Sequence, residues 1–189
     1  MAAGGSTANV QIGPGRLWVA PIGTAEPTSA SAALPSAWIA LGYTEDGTTF
    51  TVSLTSEDIE VEEEIDPILT VNTKRANTLA VQMAEITKRN WGIALGSGIL
   101  TNDATAFEPV TPGSEVKVMI VWDSNEDATT AQGGQGNRRW LFRQCNPTGD
   151  VAINRQKAPN KALVPTTFKV EKPSGLAPFK VWPNSNGLV

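Results

Sequence analysis

Residues 46–61 read DGTTFTVSLTSEDIEV, and this stretch decides the fold class. Phe50, Val52 and Leu54 alternate with Thr49, Thr51 and Ser53, and a period of two is that of a half-buried β-strand. Asp46-Gly47 ahead of it is a turn signal. The alternation resumes at Ile59 and Val61 among acidic residues. Pro67, with no amide proton to donate, then interrupts pairing before Ile68, Leu69 and Val71. The stretch therefore predicts a β protein in which residues 55–77 form a hairpin or extended loop projecting from a sheet.

Working outward toward the N terminus, Trp38 to Tyr43 reads as a strand, Gly23 to Pro35 as a loop rich in Ala, Ser, Thr and Pro, and Arg16 to Ile22 as a further short strand. Residues 1–15 are small and polar and end in Gly13-Pro14-Gly15, the pattern of a flexible arm with too little apolar surface to order alone. A single domain over residues 16–189 comes after it.

Toward the C terminus, residues 78–86 carry both helix-favouring and alternating signals and are read as a strand. Thr87 then caps a short helix through Leu95, with Trp91 and Leu95 one turn apart on its inner face and Gly96 ending it. Gly92 weakens that helix by about 1 kcal/mol relative to Ala, so the helix depends on packing. Glu115 to Trp122 is apolar on both faces and predicts a strand covered on both sides. Residues 123–137 read as a flexible connector. Arg139 to Gln144 returns as a strand, with Trp140 and Phe142 on one face and Arg139, Leu141 and Arg143 on the other. Asn146-Pro147-Thr148-Gly149 reads as a turn, and shorter strands are expected at residues 150–154, 166–171 and 179–182. No fixed-period repeat is present, which sets solenoids and propellers aside.

Composition narrows the chemistry. The chain has 189 residues, 40% of them hydrophobic and 18% charged, which suits one soluble domain with a core of ordinary size. No apolar run approaches the ~20 residues that cross a bilayer, and residues 1–10 lack the basic start and apolar middle of a secretory signal. A cytoplasmic site of synthesis and no membrane partner are the expectations. Cys145 is the single cysteine, so an intrachain disulfide is excluded, and a buried, inert thiol is expected. Histidine is absent, which removes Ser-His-Asp and Cys-His nucleophile activation and most transition-metal sites. No catalytic, cofactor-binding or metal-binding residues are therefore assigned, and no enzymatic activity is expected.

Three segments, GPGRLWVAPIGT (13–24), WIALGYTEDGTTFTVSLTSEDIEVEEEIDPILT (38–70) and LAVQMAEITKRNWGIALG (79–96), together resemble the major tail proteins of siphophages, which build the tube of long, non-contractile tails. The resemblance is best over residues 13–96 and weaker toward the C terminus. It implies an antiparallel β-sandwich or partial barrel with one short flanking helix. It also implies hexameric rings whose sheets join into an inner barrel, stacked as a tube that houses the tape-measure protein and later conducts the genome. The implied partners are other copies of the chain, the tape-measure protein, tail initiation and terminator proteins, and DNA in transient, non-specific passage; the implied location is the virion tail. The inner tube of a secretion-type apparatus is a close alternative. Independently of the resemblance, a ring in which sheets continue between subunits leaves no unpaired strand edge, and stacking requires a head-to-tail contact.

Several residues fit either assembly or a plainer role. Glu57, Asp58, Glu60, Glu62, Glu63, Glu64 and Asp66 are the densest acidic stretch, read as a solvated loop or as an assembly surface facing another ring or the bore. They lack the Asp-x-Asp-x-Asp-Gly pattern of a calcium loop. Residues 1–95 carry a net charge of −6 and residues 96–189 of +2, so Arg138, Arg139 and Arg143 are candidates for a complementary basic side, between copies or within one. Their interleaving with Trp140 and Phe142 raises nucleic-acid binding, which a pI near 4.9 opposes. Six tryptophans raise a monomeric β-sandwich that binds carbohydrate or a protein ligand, but each falls in an apolar pattern that reads as core. Gly133-Gly134-Gln135-Gly136 lacks the Lys-Ser/Thr of a phosphate loop and reads as linker.

Overall fold

The computed structural model describes residues 15–30, 32–124, 138–152 and 160–182. Within them are β1 (Gly15–Pro21), β2 (Ile39–Ala40), β3 (Thr44–Ile59), β4 (Leu69–Met83), α1 (Lys88–Ala94), β5 (Val118–Ser124), β6 (Arg138–Thr148), β7 (Val164–Val170) and β8 (Phe179–Trp182). The strands form one antiparallel sheet in the order β2-β1-β5-β6-β7-β4-β3, with β8 paired to β6. The fold is mainly β with a single short helix, and the sheet does not close into a barrel.

The main core shows how far the sheet curls. Leu17 and Val19 of β1 share one buried cluster with Leu79, Val81 and Met83 of β4, although those strands stand near opposite ends of the strand order. Residues 39–44 explain the shape. They pair with β1, the Leu41 amide donating to the Leu17 carbonyl at 2.9 Å, and then cross to β4, where the Ala84 amide donates to the Tyr43 carbonyl at 2.8 Å. The strand expected over residues 38–43 is therefore only two residues long, because the chain leaves β1 to bridge the two flanks of the sheet.

A second, smaller core lies on the other face, where Ala20, Met119, Val121 and Leu141 pack with Trp38 from the loop after β1. Val118 and Ile120 belong to the main core, so β5 is covered on both sides. It begins at Val118 rather than Glu115; the Val116 amide instead donates to the Gly96 carbonyl at 2.7 Å.

Two turn signals in the sequence are absorbed by strands. Asp46-Gly47 lies inside β3, where pairing with β4 shifts between Thr44 and Thr48 and Gly47 has φ +77°. Glycine supplies a positive φ cheaply, so the dipeptide makes a bulge rather than a turn. Likewise β6 runs through Asn146, Pro147 and Thr148, with Pro147 opposite Phe168, and regular structure ends only at Gly149. A register shift between Val118 and Ile120 sets Phe142 and Cys145, three positions apart, on the same core. Of the strand expected at residues 150–154, residues 150–152 form no ladder; residues 153 and 154 lie outside the described residues, as do the N-terminal arm to residue 14 and residues 125–137 of the expected connector, whose first two residues, Asp123 and Ser124, instead extend β5.

Helix α1 starts where its cap predicts: the Thr87 hydroxyl accepts from the Asn90 amide at 3.2 Å. Its buried face is Asn90, Ile93 and Ala94, whereas Trp91 and Leu95 are half-buried. A Cβ on Gly92 would stand 2.6 Å from Leu100 Cδ1 and 3.0 Å from the Gly98 carbonyl oxygen, so the residue that weakens the helix is the one that lets the following loop lie against it.

Candidate assembly surface

Strand β3 is 16 residues long and ends the strand order, so only β4 pairs with it among the described residues. Its register with β4 runs from Thr44↔Met83 to Ile59↔Leu69. Beyond Phe50, which packs against the main core, the hairpin leaves the body of the sheet. Val52 and Leu54 continue the Phe50 face but are 44% and 59% exposed. The alternation that predicts a half-buried strand is real, yet the strand outruns the core it would be buried against.

A second register shift, between Thr55 and Ser56, resets the pairing of the outer hairpin. Ile59 is paired with Leu69, and Glu57 with Val71, so Ile59, Leu69 and Val71 share one face. All are exposed, as are Ile65 and Ile68 in the connecting loop. Sequence reading assigned this segment its charge and missed this apolar surface; the signal was the spacing of Ile59, Leu69 and Val71 about the Pro67 break.

The acids Glu57, Asp58, Glu60, Glu62, Glu63, Glu64 and Asp66 all lie on the outer hairpin and are exposed. Asp58 Oδ1 accepts from the Thr70 hydroxyl at 2.6 Å. Among the described residues none of these acids takes part in an ion pair.

The arginines sit elsewhere and are engaged within the chain. Arg139 is 4% exposed; its guanidinium donates to the Ser29 and Ala32 carbonyls at 2.9 and 2.7 Å and to Asp123 Oδ2 at 2.7 Å. Arg143 grips Glu26 through both carboxylate oxygens, at 2.6 and 3.1 Å, and donates to the Ala177 carbonyl at 2.8 Å. That grip holds the Glu26 carboxyl below its usual range, against the opposing effect of burial. Together these residues pin the loop after β1 over the smaller core, aided by Trp38 Nε1, which donates to the Ala25 carbonyl at 3.0 Å. Of the two options for the basic residues, pairing within one subunit is what Arg139 and Arg143 do. The Arg138 side chain lies outside the described residues.

Trp140 and Phe142 belong to an aromatic cluster with Phe50 and Phe179, at centroid separations of 4.8–6.5 Å. None of the six tryptophans is exposed, so the row of open rings that a sugar-binding face needs is not formed. Cys145 is fully buried, and burial pushes its thiol pKa far up. Among the described residues no three of His, Cys, Asp and Glu converge as metal ligands, and no helix is long and apolar enough to span a membrane.

The geometry thus defines a β-sheet protein whose conspicuous features are surfaces: a strand edge unpaired among the described residues and a long hairpin. The family described as Phage tail tube protein matches residues 3–141, and the chain belongs to that family. A comparison with curated proteins finds no match. Membership makes the chain a structural component of the virion tail that assembles into a tube with other tail components, and points to a non-enzymatic role.

Proposed function

We propose that the chain forms rings, six subunits each as the resemblance implies, that stack into the tube of a long, non-contractile tail and conduct the genome. The observation that carries this reading is the β3 edge. A 16-residue strand with one side unpaired among the described residues is a template for further pairing, and a neighbouring subunit's sheet covers it without leaving a free edge in the closed ring. At the opposite end of the strand order β2 is only two residues long, so the neighbour docks on a flank that the fold leaves nearly bare.

In this reading the outer hairpin, residues 55–77, makes the contact between stacked rings. Assembly takes place in the host cytoplasm around the tape-measure protein, from an initiation complex and up to a terminator. Negative-stain imaging of concentrated protein, alone and with tail-initiation complex, tests it. Rings and tubes support the reading, and a monomer under both conditions sinks it.

A further inference from the structure

The large exposed apolar side chains are not scattered. By the antiparallel registers, Pro21 of β1, Val118 of β5, Thr148 of β6, Val164 of β7 and Met83 of β4 all lie at one end of their strands. The hairpin projects from the other end. At the first end Ile22, Tyr43, Ile86 and Val116 are exposed by 48–79%. Apart from Leu176 and Val181, every exposed large apolar side chain among the described residues lies on the hairpin or at this opposite end.

That opposite end also has the shape of a receptor. Pro21, Ile22, Gly98, Ile99 and Val116 line an open groove of about 600 Å³. Gly98, at φ +74°, is part of its lining, and a Cβ there would stand 2.9 Å from Val116 Cγ1; glycine lets Val116 lie against the backbone. Two charged residues also line the groove: Lys117, which is paired with Glu171 at 2.7 Å, and Glu115, whose carboxylate accepts from the Gly113 amide at 2.9 Å. The groove therefore offers the hairpin apolar surface, with Glu115 as a like charge that salt must screen before an acidic segment can seat there.

We propose that this groove receives the Ile59–Leu69–Val71 face of the hairpin from another copy of the chain. The inference rests on the stacking proposed above and names its receiving side. A ridge at one end and a socket at the other make a heterologous contact, which repeats without limit along one direction instead of closing as a dimer. Both faces are exposed in the single subunit, Ile59, Leu69 and Val71 by 40–55% and Ile22 and Val116 by 48–51%, so stacking removes both from water at once. The unpaired acids on the hairpin oppose close approach until salt screens them, so added salt favours stacking.

Site-specific cross-linking tests the pairing, because the native Cys145 is fully buried and leaves introduced thiols as the reactive ones. Leu69→Cys and Val116→Cys chains, mixed and assembled with tail-initiation complex, should give a disulfide-linked dimer under mild oxidation that neither variant gives alone. In parallel, Ile22→Glu should raise the critical concentration for tube growth about tenfold or more while leaving single rings and tryptophan emission unchanged. Tubes that form without the mixed disulfide, or with Ile22→Glu subunits as readily as with wild type, would overturn the groove as the receptor and leave stacking intact. Failure of the wild-type chain to stack at all would overturn both.

Discussion

Asn90 sits 1% exposed on the inner face of α1, where its Nδ2 donates to the Leu41 carbonyl at 3.0 Å and the Glu85 carbonyl at 2.8 Å. It ties the helix to the segment that bridges β1 and β4. Asn90→Ala removes the donor from the buried Leu41 carbonyl and the half-buried Glu85 carbonyl and should cost about 1–3 kcal/mol, read as a lower urea midpoint with an unchanged slope. Gly92→Ala pits a helix-propensity gain of about 1 kcal/mol against overpacking of about 1–3 kcal/mol. The added Cβ meets Leu100 and the Gly98 carbonyl, so the variant should be less stable despite the better helix former. The Glu26–Arg143 pair sets a pH dependence. Because the folded Glu26 carboxyl lies below its ordinary 4.5, its contribution is fully present above that value and is lost as pH falls through the folded one. Acidification should loosen the loop that carries Trp38, and Glu26→Gln should flatten that dependence while lowering stability at pH 7. Equal acid titrations of Trp38 exposure in wild type and variant would contradict the assignment.

At the scale of elements, the helix was legible because Thr87, Lys88 to Leu95 and Gly96 spell cap, body and stop within one short window, and caps are local chemistry. β7 and β8 were legible from the proline-containing loops that separate them, although β7 begins at Val164 and takes Pro165 into its ladder opposite Gln82. The Asp46-Gly47 and Asn146-Pro147 signals misled for one reason: both dipeptides favour a bend, and only long-range pairing with β4 and β7 decides whether that bend reverses the chain or bulges a strand. Sequence left Arg139 open between a contact with another copy and pairing within one chain, because the loop that supplies its carbonyl partners lies more than a hundred residues away in sequence. The hairpin itself carries a prediction. Glu60, Glu62 and Glu64→Gln should lower the salt concentration needed for tube growth, since the acids have no cationic partner among the described residues of the subunit and screening acts over about 10 Å at 0.1 M salt. Weaker assembly of that variant at low salt would instead identify a basic partner across the contact. Removing residues 60–68 should leave the main core and its unfolding midpoint nearly unchanged, because that core is built from positions at and beyond Phe50 and Leu79, while tubes shorten.

For the whole molecule, the sheet encloses its main core only part-way, and what it leaves open is an edge strand on one flank and apolar surface at both strand ends. A subunit with these features satisfies its surfaces by repetition: sideways through the β3 edge to form a ring, and end to end through the hairpin to form a tube. Family membership supplies the tube; the edge and the two apolar ends give it a physical route. The most direct measurement is electron microscopy of purified wild-type protein at rising concentration, with tail-initiation complex in a parallel sample. Rings that stack into hollow tubes of uniform diameter, longer at higher salt, are the expected result. Particles that stay monomeric at every concentration and in both samples would contradict it.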